Sequence, residues 1–449
     1  MKVHFIAIGG SAMHNLAIAL HKKGYQVTGS DDEIFEPSTS RLNACGILPE
    51  QQGWFPEKIN KELDAIILGM HARNDNPELL KAQELGLKIY SYPEYIYEQA
   101  MNKTRVVIGG SHGKTTITAM VMHVLKQCHM EFDYMVGAQL EGFDTMVKLT
   151  DAPVIIIEGD EYLASPIDRR PKFHLYRPDL ALISGIAWDH INVFPTFEEY
   201  VEQFRIFVHR IADKGVLIYN EEDAVVKEIG EKAPTFKVAY KTAEHSIENG
   251  ITFAIWKDQK FPLKIFGNHN LQNLSGAKLI CKQLGIECEK FYQAISTFKG
   301  ASRRLEVVSQ RGDTVIYKDF AHSPSKLGAT TRAVKQQFPD RRLIACMELH
   351  TFSSLNKTFL QQYHGTMRIA DKAIVYYNPH TLEHKHLEPI SKEEVKYAFG
   401  NGNLVVHTNS QAVIDELKGS SWDKTNLLLM SSGNFDGINY EQLAEEILS

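Results

Sequence analysis

The ten residues "GGSHGKTTIT", Gly109 to Thr118, bring a glycine-rich turn together with a lysine and a hydroxyl. That combination suits phosphate. Glycine lets backbone amides approach an anion closely, because no Cβ blocks the way and positive φ carries no penalty. Lys114 would reach the terminal phosphates of a nucleotide as a mobile charge, and Thr115 would offer its hydroxyl to Mg2+ at the positive end of the following helix. The stretch departs from the usual G-x-x-x-x-G-K-[ST] in having three residues between Gly109 and Gly113 instead of four. The structural alternative is a plain glycine turn. The apolar "RVVI" before it and the helical period of "TAMVMHVLKQ" after it favour phosphate.

Mg2+ carried by a nucleotide takes hard oxygen ligands. Glu158, Asp160 and Glu161 in "EGDEY" follow the apolar run "VIII", and Glu158 is the expected ligand. His190 in "WDHINVF" also follows an apolar run. "GNHNLQN" carries Asn268, His269, Asn270 and Asn273, whose amides could bond a base or merely cap a helix. "ASRRLE" and "KDFAHSP" add Arg304, Asp319 and His322, suited to phosphate and ribose, with an interdomain ion pair as the structural alternative for the arginines. Near the start, "AIGGSA" resembles a degenerate dinucleotide turn through Gly9, Gly10 and Ser11, and Asp31 ends the second strand where a ribose-binding acid would lie.

Positioning such groups requires strands that end at a common edge. Short apolar runs alternate with amphipathic stretches along the whole chain, the pattern of α/β domains with parallel sheets. The runs are "VHFIAI", "YQVTGS", "DAIILGM" and "KIYSY", then "VIIIEGDEY", "LALISGIAWDHINVF" and "GVLIYN", then "TVIYKDF", "RRLIACMEL", "KAIVYY", "NLVVHT" and "NLLLMSS". In open α/β sheets ligands bind at the carboxyl ends of strands. At 449 residues the chain should divide into three domains, at 1–101, 102–300 and 301–449. A net charge of −6 without a basic run gives no case for nucleic acid or an anionic membrane. Five scattered cysteines with no C-x-x-C pair read as thiols in a reducing cytoplasm. His4, the Gly9-Gly10 pair, His14 and Asn15 interrupt the apolar start, so it reads as strand, turn and helix and not as a signal peptide. No apolar run approaches the roughly 20 residues that span a bilayer.

The ordered set "IGGSAM", "GSHGKTT", "EGDEY", "DHINVF", "GNHNLQN", "SRRLE" and "DFAHSP" resembles the Mur ligase family over essentially the whole chain. That resemblance implies an N-terminal Rossmann-like domain for a UDP-sugar, a central P-loop ATPase domain and a C-terminal Rossmann-like domain for an incoming amine. It implies ATP and Mg2+, an acyl phosphate, and displacement of phosphate by the amine. By family motif, Gly110, His112, Gly113, Lys114, Thr115 and Thr116 bind ATP. Lys114, Glu158 and His190 form the catalytic set, with Thr115 and Glu158 toward a first Mg2+ and His190 toward a second between ATP and the carboxylate. Asn270, Arg304 and Asp319 contact the nucleotide, and His322 lies beside it. Gly9, Gly10, Ser11 and Asp31 serve the UDP-sugar, and His350 the amine.

Two branches of the family act on UDP-N-acetylmuramate. One adds L-alanine; the other attaches a recovered murein tripeptide, in peptidoglycan recycling. "EGDEYLASPIDRRPKFHLYRPD", "HINVF" and "MSSGNFDGI" resemble the peptide-adding branch. Thr351 and Ser354 stand where the alanine-adding enzymes carry arginines, and hydroxyls cannot form a guanidinium's fork on a carboxylate. Ser323 replaces the second histidine of the usual "AHHP". "FEEYVEQFRIF" has Arg205 and no counterpart of the carbamylated lysine many members carry, as in other members acting on UDP-N-acetylmuramate. The expected protein is a cytoplasmic ATP-dependent amide ligase joining UDP-N-acetylmuramate to the tripeptide, with L-alanine ligation as the near alternative. A nicotinamide-dependent oxidoreductase and an inactive UDP-sugar-binding regulator are the distant ones, and neither needs the P-loop lysine or "EGDE". Oligomeric state is not legible.

Overall fold

The computed structural model describes residues 1–301 and 304–448, so Ser302 and Arg303 of "ASRRLE" lie outside the described residues. The chain gathers into two compact units: Met1–Ile186 with Glu198–Tyr240 and Gly276–Glu287, and Ala187–Phe197 with Lys241–Ser275 and Cys288–Ser449.

The first unit holds two sheets. Four parallel strands lie in the order Gln26–Ser30, Lys2–Ile6, Ala65–Leu68, Ile89–Ser91. All of Ala65–Leu68 is buried, as a parallel strand covered on both faces must be. One face packs Ile6, Ile66 and Leu68 on Leu79 and Ala82 of helix Pro77–Glu84. That helix starts where Asn76 accepts from the amides of Glu78 and Leu79 and proline supplies the first turn.

The second sheet has seven strands, ordered Phe236–Tyr240, Val216–Asn220, Leu180–Ile183, Thr104–Gly109, Val154–Glu158, Asp133–Met135, Val147–Lys148. Only the last pairing is antiparallel. The strand feeding the glycine loop therefore lies between the strand that ends in Glu158 and the strand that leads toward His190.

In the second unit, six strands run Glu306–Arg311, Thr314–Asp319, Thr425–Met430, Arg342–Leu349, Lys372–Tyr377, Leu404–His407, antiparallel only at the first pair. Alternate residues serve opposite cores: Val315, Tyr317, Ala345 and Met347 on one face, Ile316, Ile344 and Cys346 on the other. Asp319, Leu349 and Met430 end three adjacent strands at one edge, which brings the "DFAHSP", "ELHTFSS" and "MSSGNFDGI" segments to that edge. A separate antiparallel sheet, His245–Glu248, Ile251–Trp256 and Gln259–Leu263, was not expected from the sequence.

Candidate active site

The glycine loop leaves strand Thr104–Gly109 and enters helix Lys114–Gln127. Gly110 has φ +132, and a Cβ there would lie 2.1 Å from Ser184 Oγ, so only glycine fits. Gly113 starts the helix at φ +82 without a side-chain cap, which leaves the first-turn amides for an anion. The loop is braced from the neighbouring strand: Ser111 N donates to Gly185 O (2.9 Å) and Ser184 Oγ to His112 O. Thr116 is buried in the first turn.

Lys114 Nζ donates to Gly110 O and to Glu161 Oε2 (2.6 Å). Burial would lower its pKa, but the charges of Glu161, Asp160 and Glu158 hold it above the usual lysine value. Thr115 Oγ1 donates to Glu158 Oε1 (2.6 Å), and Gly137 N to Glu158 Oε2 (2.9 Å). Among the described residues no three His, Cys, Asp or Glu side chains converge to hold a metal ion. One carboxylate beside one hydroxyl nevertheless suits Mg2+, which keeps most of its shell as water and phosphate oxygen. Asp160, by contrast, accepts from Lys172 Nζ (2.6 Å).

At the N-terminal turn, Gly9 N donates to Asp31 Oδ2 (2.7 Å). Asp31 is thus turned inward and buried, and burial, with Asp32 adding to it, pushes its pKa up to about 6. Gly10 begins helix Ser11–Lys22 without a side-chain cap. Ser11 Oγ points at Met146 Sδ (3.7 Å), and Met146 N donates to Asn15 Oδ1 (3.0 Å), so the turn leans on the central sheet's loop.

The second unit collects a charged group of its own. His190 sits at φ +54 in a turn whose amide donates to Asp189 Oδ1 (2.8 Å), while Val193 N and Phe194 N bond its carbonyl. Burial alone would raise Asp189, yet its neighbours, among them the Lys326 ammonium, hold its carboxyl below the usual range. His322 is pushed down to about 3 by burial and then by Lys326. Asp319 rises to about 6 through burial, opposed by Arg304, and accepts from Leu305 N (2.6 Å). The Arg304 guanidinium lies 5.2 Å from the centre of the Phe320 ring. Asn270 turns its amide back to Phe266 O (2.9 Å). A cavity of about 550 Å³ opens beside it, lined by Thr252, Gly267, Asn268, His269, Gln272 and Arg332 among others.

His350 follows strand Arg342–Leu349 beside a buried carboxylate, with Nδ1 3.7 Å from Glu348 Oε1. Glu348 Oε2 accepts from Ser431 Oγ and from Phe435 N (2.9 Å). Asp436 takes the hydroxyl of Tyr376 (3.0 Å) and the amide of Asn378. "MSSGNFDGI" is therefore a braced loop beside His350, with Phe435 and Asp436 in left-handed backbone. Thr351 Oγ1 and Ser354 Oγ bond each other (3.0 Å), and Ser354 N donates back to Thr351 Oγ1 (3.1 Å).

Sequence reasoning did not single out Asp189, Lys326, Tyr200, Glu348 or Ser431. Lys326 sits only four residues beyond His322 and Asp189 directly before His190, spacings that could have drawn attention; Tyr200, Glu348 and Ser431 acquire their neighbours through the fold.

Three family descriptions match successive stretches: "Mur ligase family, catalytic domain" at residues 2–104, "Mur ligase middle domain" at 108–281, and "Mur ligase, glutamate ligase domain" at 303–433. The UDP-N-acetylmuramate–L-alanine ligase of Sulfurihydrogenibium sp. (strain YO3AOP1) is 30% identical over 383 residues, 83% of this chain and 82% of its own. The UDP-N-acetylmuramate–L-alanyl-γ-D-glutamyl-meso-2,6-diaminoheptandioate ligase of Haemophilus influenzae is 26% identical and covers 98% of each chain. A murein peptide ligase from Psychrobacter arcticus shares the fold, with a TM-score of 0.64 at 23% identity over 100% of this chain and 99% of its own.

Proposed function

Because the chain belongs to the Mur ligase family and is an ATP-dependent ligase, we propose that it joins the lactyl carboxylate of UDP-N-acetylmuramate to the amine of a murein tripeptide, L-alanyl-γ-D-glutamyl-meso-diaminopimelate. The γ-phosphoryl group of ATP passes to the carboxylate and ADP leaves. The amine then attacks the acyl carbon, loses a proton, and phosphate departs. A carboxylate attacking a polyanion needs charge neutralisation and in-line placement more than an acid or base. Lys114 and the first-turn amides serve the phosphates. Mg2+ ions, when bound, would spread the transferring group's charge, with Thr115 and Glu158 toward the first and His190 toward a second. Asn270, Arg304, Asp319 and His322 border the nucleotide. Gly9, Gly10 and Ser11 take the UDP diphosphate, with Asp31 shaping their turn. Domain limits at 1–101, 102–300 and 301–449 and a cytoplasmic setting complete the proposal. No helix among the described residues is long and apolar enough to cross a membrane.

The observation that carries the tripeptide reading is the spent pair beyond His350. Thr351 and Ser354 satisfy one another, so these two positions offer neither a guanidinium nor an uncommitted hydroxyl donor to grip a small amino acid's carboxylate. Losing one charge-assisted bond, about 1.5–3 kcal/mol, costs alanine about tenfold or more in affinity, whereas a tripeptide spreads its binding over a longer surface. The 30% identity to an L-alanine ligase favours the second reading, L-alanine as acceptor. Phosphate release with UDP-N-acetylmuramate and each amine in turn decides between them. The tripeptide should give the higher kcat/KM; a higher value for L-alanine would move the chain to the alanine-adding branch.

If the braced loop beside His350 shapes the acceptor site, Ser431→Ala should raise the acceptor KM several-fold and leave the ATP KM alone. It removes a charge-assisted bond to Glu348. A shift confined to the ATP KM would detach this loop from the acceptor.

A further inference from the structure

Of the three carboxylates in "EGDEY", Glu158 is engaged with Thr115 and Asp160 with Lys172, which leaves Glu161 outside the proposed reaction. Glu161 is 1% exposed and Lys114 15%. Its Oε2 accepts from Lys114 Nζ at 2.6 Å, and its Oε1 accepts from the hydroxyl of Tyr200 at 2.9 Å. Tyr200 is fully buried and its oxygen also meets Ser111 Oγ at 2.8 Å. The contacts therefore close a ring, from Ser111 through Tyr200 and Glu161 to Lys114, and from Lys114 back to Gly110 O, over the loop that receives the phosphates.

We propose that Glu161 is a positioning residue that holds Lys114 in the nucleotide-free loop and competes with the incoming triphosphate for it, with Tyr200 fixing Glu161 in place. An ammonium withdrawn from water needs an anion beside it, and without nucleotide Glu161 is that anion. A triphosphate supplies the charge itself, and Glu161 then becomes a like charge next to it. Tyr200 and burial keep the carboxylate where it is. The flexible four-carbon stem of Lys114 is the part that moves, exchanging Glu161 for phosphate oxygen. The free loop is thus stabilised in a form that ATP must undo, which sets nucleotide affinity below what the loop alone would reach.

This rests on the ATP reading above, and the test separates the two. Calorimetry measures binding of ATP with Mg2+, without UDP-N-acetylmuramate or acceptor, to the unmodified chain, Glu161→Gln, Tyr200→Phe, Lys114→Ala and the Lys114→Ala/Glu161→Gln double variant. Glu161→Gln should bind ATP about tenfold tighter, the scale of one charge-assisted bond. Tyr200→Phe, a milder change with less effect on folding, should shift affinity the same way by less. Adding Glu161→Gln to Lys114→Ala should gain clearly less than Glu161→Gln does alone, because only the like charge is then removed and no competition for Lys114 remains. A merely structural role would weaken or spare affinity in all variants. Unchanged or weaker ATP binding by Glu161→Gln and Tyr200→Phe, or a full gain that persists without Lys114, would overturn the inference. Absence of ATP binding by the unmodified chain would overturn the ATP reading and this inference with it.

Discussion

Lys114→Ala is expected to lower ligation by about a thousandfold or more, the scale seen when one preorganised electrostatic donor to a developing charge is removed. The side chain enters the loop at the start of helix Lys114–Gln127, where water is largely excluded and where, on the proposed reading, its charge would meet the transferring phosphoryl group. Because the interaction strengthens as charge builds on the transferring oxygens, the loss should fall mainly on kcat. The same substitution takes the cation away from the buried Glu161, so part of the fold's stability goes with it. Thermal unfolding followed alongside turnover separates the two effects. Near-normal ATP-dependent ligation by a folded variant would end the assignment of this loop to the ATP phosphates.

The next largest effect is expected from Glu158→Ala. Its two oxygens are tied to Thr115 Oγ1 and Gly137 N, so the carboxylate is fixed at the mouth of the loop with the hydroxyl of the expected Mg2+ ligand 2.6 Å away. Removing it deletes a ligand and frees Thr115 to rotate, and activity at ordinary Mg2+ should fall on the order of a hundredfold or more. Part of that loss should return at high Mg2+, because the remaining ligands still form a weaker site. His190→Ala should displace the Mg2+ titration in the same direction. Superimposable Mg2+ titrations of both variants and the parent would place the metal elsewhere. The comparison is cleanest at saturating ATP, where altered nucleotide binding cannot pass for altered metal binding.

The glycine loop was legible because its requirements are local. Gly110 and Gly113 occupy positive φ within five residues of each other, and backbone geometry of that range is written in residue type. The strands were legible where burial is continuous: Val154–Glu158 and Leu180–Ile183 are buried at every position, and apart from the terminal Glu158 each is an unbroken apolar run. His245–Glu248 and Gln259–Leu263, which flank Ile251–Trp256, are largely exposed and mix apolar with polar residues, so the antiparallel sheet left no comparable trace.

The amino-acid sequence by itself determined the fold class, the family and the order in which the chemistry-bearing segments meet the ends of strands. Which side chain engages which was decided by the tertiary structure. Lys114 meets Glu161 across 47 residues, and Glu348 is gripped by Ser431 across 83. Among three carboxylates in four consecutive positions, one faces a hydroxyl and two face different lysines. Asp31, at the end of the second strand, turned inward onto the Gly9 amide instead of outward. Residue type and spacing constrain φ, ψ and burial over a few positions, whereas an ion pair or hydrogen bond depends on where a distant strand places its last residue. That placement comes from packing the sheets, which no short stretch contains.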